Sequence, residues 1–360
     1  MSAHPQRPTM NDVAAHARVS LKTVSRVVNG IATVAPELTE RVQASMKQLG
    51  YRRNNLAASL RAGHASRTIG LITADLSNSF YATLSSAIVR AVRAQGFQVI
   101  MASSEEDPAL ERTLALELCQ RRVMGLIIVP TDASHGYLRE EIELGIPVVF
   151  LDRPGVGISA DEVLADNRGG AEAAIAQLVS AGHRRIGFLF DSLDIYTMRE
   201  RLAGARAALK LAGVTIDDAL VATNIHAPEH AAAAISNMLA LDNPPTAVLC
   251  GNNRSTVGAV EEIWRQNAGI EVSGFDDFEM SRLLPRTVTT VSSDTVALGT
   301  TAAAQLMARI DGDTSAPRRT LLPTHLVKRG GWATAAQDRR ESTSTESDCT
   351  ERGISSHKPT

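Results

Sequence analysis

The stretch "VSLKTVSRVVNG", residues 19–30, puts four valines, a lysine and an arginine into twelve positions. At about 100° per residue, Val24, Val27 and Val28 gather on one side of a helix over 21–29, and Leu21, Lys22, Ser25 and Arg26 on the opposite arc. One side suits a core, the other something negatively charged. The helix before it, "MNDVAAHA" (10–17), is only a few residues away, across Arg18 and Val19. Thr9 with Asp12 resembles a capping box, Ser20 caps the next helix at Leu21, and Pro36 suits the first turn of a third. Two short helices joined this tightly read as a helix-turn-helix, whose second helix enters the major groove. Taken alone, the charge pattern favours a small bundle with a solvated face.

The charge balance decides between them. Up to Arg67 the chain has ten basic and three acidic residues, so this end is +7 and the remainder −9 of a total of −2. A basic module on an acidic body points to nucleic acid. Next, "YRRNNLAASLRAG" (51–63) sets Leu56, Ala57 and Leu60 on one face of a helix too short to be stable alone. It reads equally as a plain linker helix or as a linker that folds on a partner, and in the second case an aliphatic wedge beside arginines is what minor-groove kinking needs.

From Thr68 the pattern changes to apolar strands alternating with amphipathic helices: "TIGLIT", "FQVIMAS", "GLIIVP", "IPVVFLD", "RIGFLF" and "TAVLCGN". That alternation predicts parallel sheets with helices on both faces, in two successive sets forming two lobes. Ligands of such lobes sit at the carboxyl ends of the strands. Asp75 to Tyr81, Asp152, Arg153, Asn252, Asp276 and Asp277 occupy such ends. At 360 residues, two or three domains are expected.

Enzyme readings find little support. The chain has no phosphate-binding Gly-x-x-x-x-Gly-Lys loop, no Gly-x-Ser-x-Gly elbow and no His-Glu-x-x-His pair. His183, His226 and His230 lack ligand spacing, and Cys119, Cys250 and Cys349 form neither a disulfide framework nor a metal cluster. The N-terminus lacks an apolar signal core, and no apolar run approaches a membrane span, so a cytoplasmic protein is expected.

"TMNDVAAHARVSLKTVSRVVNG", "LTERVQASMKQLGYRRNNLAASLRAG" and "TIGLITADLSNSFYATL" together resemble the LacI/GalR family of transcription regulators. "ADNRGGA", "GHRRIGFL", "RERLAG" and "GFDD" continue the likeness, which runs from about Thr9 to Gly331. The resemblance implies a helix-turn-helix domain (9–53), a hinge helix (54–65) and a two-lobed periplasmic-binding-protein-like core (66–331). One lobe would comprise 66–165 and 294–318, the other 166–293 and 319–331, with disordered tails at 1–8 and 332–360. It implies base reading by Leu21, Lys22 and Arg26, with Ser20, Thr23, Ser25 and Asn29 near phosphates. Asn55, Ala57 and Leu60 would enter the minor groove, Leu60 levering open the central base step. In the core, Phe80 and Tyr81 would lie against the effector's apolar face, with Arg201, Asn252 and Asp276 as its directional partners. Asn78, Asp152, Arg153, Thr197, His226 and Ser293 complete the set.

The implied partners are a pseudo-palindromic operator, a sugar or sugar-derived effector and a second copy of the chain, with no cofactor, metal or membrane. A transport-type sugar-binding protein or an α/β enzyme on this scaffold stands as the alternative. Plainer roles also stand: Asp152 and Arg153 as a salt bridge, Phe80 and Tyr81 as core, Asp277 as structural. Three residues depart from the family pattern: Arg18 where a turn Gly is usual, Arg53 where Pro precedes the hinge Asn, and Asn253 in place of Asp.

Overall fold

The computed structural model describes residues 8–31, 33–51 and 67–331, in two compact units, one up to Ser66 and one from Arg67. Apart from Pro8, the expected tails and the hinge segment 54–65 lie outside the described residues.

The first unit contains α1 (Met10–Ala17), α2 (Leu21–Val28) and α3 (Pro36–Leu49). The capping box is present: the Asp12 N–H donates to Thr9 Oγ1 at 3.4 Å, and the Thr9 N–H donates to Asp12 Oδ2 at 2.7 Å. Helix α1 stops at Arg18, whose φ of 51° and ψ of 48° are left-handed, a conformation that costs a side-chain-bearing residue about 1 kcal/mol. The chain then reaches Ser20, whose hydroxyl accepts the Thr23 N–H at 3.1 Å and starts α2. Pro36 opens α3, where its missing N–H would have had no helical partner. Val13, Ala14, Ala17, Val24 and Val42 form the small core, flanked by half-buried Val27, Val28 and Met46.

The second unit holds two six-stranded sheets. Its elements run β1 (Thr68–Thr73), α4 (Ser79–Arg93), β2 (Gln98–Ser103), α5 (Pro108–Gln120), β3 (Leu126–Ile128), α6 (Arg139–Glu143), β4 (Val148–Leu151) and β5 (Asp161–Ala165). There follow α7 (Asn167–Ser180), β6 (Ile186–Leu189), α8 (Tyr196–Leu211), β7 (Val221–Ala222), α9 (Pro228–Leu239) and β8 (Ala247–Cys250). The last are α10 (Asn253–Arg265), β9 (Glu271–Phe275), β10 (Val288–Ser293), α11 (Thr295–Ile310), β11 (Arg319–Leu322) and β12 (Thr324–Arg329). The first sheet has the order β11-β5-β4-β3-β1-β2 and the second β12-β10-β9-β8-β6-β7. All pairings are parallel except β10 with β12.

Helices cover both faces of each sheet. Leu84 and Ile88 of α4 and Leu298 and Leu306 of α11 pack over Ile69, Leu71, Ile127 and Val149. The other face of that sheet is closed by Ala115 and Leu118 of α5. Helices α4 and α11 touch closely at Gly299, where a Cβ would meet the Leu84 carbonyl at 2.7 Å. On the second sheet, α7 and α8 supply Ile175, Leu178 and Leu202 to one face, and α9 and α10 supply Ile235, Val260 and Ile263 to the other.

The chain crosses between lobes three times: from β5 to α7, from β10 to α11, and from β11 to β12. The expected boundary at 318/319 is therefore corrected. Residues 319–322 form β11, which pairs with β5 in the first lobe, and the last crossing falls at Pro323. Asp161 enforces this pairing by accepting the Arg318 backbone N–H at 2.8 Å and both sides of the Arg309 guanidinium.

Candidate ligand cleft and candidate nucleic-acid interface

Because the strands of each sheet run parallel, their carboxyl ends lie on one edge, and the two lobes present these edges to a shared cavity of about 810 Å³. Ten of the eleven expected core residues line it: Asn78, Phe80, Tyr81, Asp152, Arg153, Thr197, Arg201, His226, Asn252 and Asp276. Ser293 does not. It ends β10, which lies one strand nearer the sheet edge than β9, whose end carries Asp276.

Arg201, on α8, is 4 % exposed. Its Nε donates to Asn167 Oδ1 at 2.7 Å and its Nη1 to the Gly251 carbonyl at 2.5 Å. Its two Nη atoms reach the Asp276 carboxylate at 3.1 and 3.3 Å, and the guanidinium lies 4.1 Å over the Phe275 ring. The fork is fully used in fixing that carboxylate at the end of β9. Asp152, at the end of β4, is held far more loosely. It accepts the Tyr81 hydroxyl at 3.4 Å and lies 3.8 Å from Arg153 Nε. Burial pushes its carboxyl up to about 6, assisted by the nearby Asp276 and Glu106 charges and opposed by Arg153 and Arg201.

Arg153 is turned elsewhere. It grips Glu106 with two bonds of 2.6 Å, donates to the Pro130 carbonyl at 3.3 Å and to the Tyr81 hydroxyl at 3.1 Å. The salt-bridge reading of Asp152 with Arg153 is thus secondary to the pair with Glu106, which the sequence did not reveal. Phe80 and Tyr81 combine both of their possible roles: they belong to the first lobe's core, edge-to-face at 5.1 Å, and they also line the cavity.

Asn252 caps α10, its Oδ1 accepting the Ser255 N–H at 2.8 Å. Asn78 caps α4 through the Phe80 N–H at 3.0 Å. Asn253 is committed across the cleft, donating to Asn78 Oδ1 at 2.8 Å and Ser79 Oγ at 3.2 Å. Arg254, also missed in the sequence, crosses to Asp75 Oδ2 at 2.5 Å and Ser77 Oγ at 2.7 Å. Burial alone would raise the Asp75 carboxyl, but Ser77 and Arg254 hold it below the usual range. On another rim Arg199 makes a two-bond pair with Asp132 at 2.9 and 3.0 Å. His226 Nδ1 lies 2.5 Å from Asp191. Asp277 pairs instead with Arg329 and Ser281.

Among the described residues, four of the eight non-glycine residues with positive φ border this cavity: Glu105 (52°), Glu106 (61°), Asp152 (68°) and Asp276 (64°). Such backbone strain, about 1–3 kcal/mol per residue, gathers where a site must hold side chains in place. Among the described residues, Cys119, Cys250 and His183 are each occupied otherwise. Cys119 and Cys250 are buried, and burial pushes both thiols up to about 12. His183 bridges Thr246 and Glu271 at 2.9 Å each.

In the first unit, α2 exposes Leu21, Lys22 and Arg26, with Asn29 at its C-cap, while Val24 is fully buried. Ser20 and Thr23 are joined at 2.8 Å at its start, and Asn29 Nδ2 reaches Ser25 Oγ at 3.4 Å. Helix α2 thus presents two cations and a leucine to solvent, with no acid in its first turn. The expected minor-groove residues Asn55, Ala57 and Leu60 lie outside the described residues.

A basic helix-turn-helix unit and a two-lobed α/β core around a polar cleft define a ligand-responsive DNA-binding regulator. The comparisons with known proteins agree. Residues 9–54 match "Bacterial regulatory proteins, lacI family", and residues 66–330 match "Periplasmic binding proteins and sugar binding domain of LacI family". The ribose operon repressor of Escherichia coli strain K12 is 30 % identical over 328 residues, covering 89 % of this chain and 99 % of the repressor. The structure of the transcriptional regulator CelR with cellobiose aligns at 30 % identity and a TM-score of 0.67, over 90 % of this chain and all (100 %) of that one. The lac repressor dimer bound to operator and the anti-inducer ONPF aligns at 27 % identity and a TM-score of 0.74, over 91 % and 99 % of the two chains. The chain belongs to the LacI family of transcription regulators.

Proposed function

We propose that this chain is a dimeric, cytoplasmic repressor whose operator affinity is set by a sugar or sugar derivative in the inter-lobe cleft. The observation that carries the effector reading is the Arg201–Asp276 fork beside the loosely held Asp152 in a cavity of about 810 Å³. Carboxylates accept vicinal hydroxyls, a fixed guanidinium orients them, and the Phe80 and Tyr81 rings offer an apolar face to a sugar ring. The cavity falls within the usual range for small-ligand sites.

Two copies would present α2 to the halves of a pseudo-palindrome, with Leu21, Lys22 and Arg26 on base edges and Ser20, Thr23, Ser25 and Asn29 at phosphates. Asn55, Ala57 and Leu60 are proposed for the minor groove on the family pattern alone. The effector acts only through its different affinity for the two core states, and DNA reciprocally changes effector affinity. The enzyme alternative is disfavoured because the three arginines of the cleft are committed to carboxylates and, among the described residues, the cysteines are buried. The DNA-reading unit argues against a transport role.

The test is a thermal-shift screen of the full chain against sugars, followed by operator binding of wild type and Arg201→Lys. Lysine keeps a charge opposite Asp276 but loses the fork, so effector affinity should fall at least about tenfold, one to two hydrogen bonds to a charged group, with operator binding retained. Normal effector response in Arg201→Lys would remove Arg201 from the site.

A further inference from the structure

The charge ledger of the cleft carries a selectivity that the family resemblance does not specify. Six carboxylates line the cavity, Asp75, Glu105, Glu106, Asp152, Asp191 and Asp276, against three arginines. Each arginine is already held: Arg153 by Glu106, Arg201 by Asp276 and Arg254 by Asp75. Asp191 holds His226. Among the described residues, Asp152 has only the long ion-pair contact with Arg153 Nε beside the Tyr81 hydroxyl at 3.4 Å, and Glu105 has no ion-pair partner. Resting on the sugar reading above, the geometry points to a cleft that takes an uncharged polyhydroxylated effector and refuses its phosphorylated or carboxylated counterpart.

The reason is that binding an anion needs a free fork of donors. Arg153 has both Nη atoms on Glu106, plus Pro130 and Tyr81. Arg201 has all three nitrogens bonded, to Asn167, Gly251 and Asp276. Freeing either strands a carboxylate in a cavity already rich in them. Two features oppose this: Arg254, whose bonds to Asp75 and Ser77 both come from Nη2 and which is about one-third exposed (35 %), and the start of α8, where Ile195 leaves the helix without a side-chain cap beside Thr197. A helix N-terminus amounts to roughly half a positive charge, less than the full charge of Asp152 alone. It serves a hydroxyl oxygen well enough but does not offset a phosphate's charge. Hydroxyls, in contrast, suit both: one can donate to Asp152 and another accept from that helix end. Glu106 is the residue that sets the selectivity, because it removes Arg153 from service.

The experiment is calorimetric titration of the full chain at pH 7.5 with matched probes: D-ribose and ribose 5-phosphate; D-glucose, glucose 6-phosphate and gluconate; cellobiose and cellobionate. The expected result is that an uncharged probe binds and its anionic partner binds about a hundredfold or more weakly, the scale of like charges brought together in a desolvated site. Glu106→Gln frees Arg153, so the anionic partner should gain at least about tenfold relative to the uncharged one, a gain that a merely structural role for Glu106 would not produce. Asp152→Asn should narrow the same ratio by another route, which covers the case of Glu106→Gln failing to fold. An anionic probe binding as tightly as its uncharged partner overturns the selectivity and leaves the sugar reading intact. If no probe of either kind binds, both fall.

Discussion

Asp152→Asn should make the effector-free protein more stable at neutral pH. The Asp152 side chain is buried, and its carboxyl is pushed from 3.8 up to about 6, chiefly by burial. In the unfolded chain it loses its proton near 3.8; in the native state it keeps it to about 6. Between those values the native state binds more protons than the unfolded one, so stability falls as pH rises through this window, and the full penalty applies above it. Two units at 1.36 kcal/mol each give roughly 3 kcal/mol. Asparagine carries no such penalty. It also tolerates the left-handed backbone at this position, φ 68°, so the substitution adds little strain of its own. Arg153 keeps Glu106, and Arg201 keeps Asp276. About a third of that penalty is already present at pH 4.5, so relative to wild type the core transition of Asp152→Asn should gain about 4–8 °C between pH 4.5 and pH 7.5, the equivalent of about 2 kcal/mol for a domain of this size. The assay is scanning calorimetry of both full chains, without sugar, at the two pH values. A difference between variant and wild type that stays constant with pH, or shrinks as pH rises, would refute the assignment of the penalty to Asp152.

Three further outcomes are expected. Lys22→Ala and Arg26→Ala should each cost about 1–3 kcal/mol on the cognate operator and much less on random DNA; equal losses on both in competition assays would demote the residue to a phosphate contact. Arg18→Gly should relieve the left-handed strain at the end of α1 and slow amide exchange in α1 by about fivefold, the equivalent of about 1 kcal/mol; unchanged exchange would mean that the turn carries no strain. Alanine at Arg199, Asp132 or both should give a coupling energy below about 1 kcal/mol that vanishes in high salt, because both side chains of this rim pair are about two-fifths exposed (42 % and 41 %); a larger, salt-resistant value would make the pair a principal holder of the closed cleft.

What could be read in the sequence was whatever is fixed locally. The caps at Thr9 and Ser20 and the break at Pro36 operate within a few residues, and they delimit α1 to α3 in the structure. The inner strands β1, β3, β4, β6 and β8 are buried along most or all of their length, so they stand out as apolar runs. Strand β5 does not, because it begins with Asp161 and Glu162, whose partners Arg309 and Arg319 are about 150 residues away (148 and 157). Strand β11, at a sheet edge with Leu321 57 % exposed, has no apolar period to announce it. The misassigned 319–322 follows from that: which sheet an edge strand joins is decided by long-range pairing. In the cleft, strand-end positions were legible from the parallel topology. Glu106 and Arg254 were not, since each acquires its role from a partner 47 or 179 residues distant.

The two sheets repeat one strand order, so β4 and β9 occupy equivalent third places and Asp152 and Asp276 equivalent strand ends. Both residues are left-handed, with φ 68° and 64°. The equivalence stops at their partners. Asp276 is clamped by Arg201, which is in turn fixed by Asn167 and the Gly251 carbonyl. Asp152 has an arginine next to it in sequence, yet Glu106 takes that guanidinium away. One carboxylate therefore serves as a fixed reference, and the other stays under-coordinated at a standing cost of roughly 3 kcal/mol. On the proposed reading, an effector that donates a hydroxyl to Asp152 would recover part of that cost. To the extent that this gain is larger in one core state than in the other, it is the differential affinity that a two-state regulator requires, and Asp152→Asn would remove it in advance.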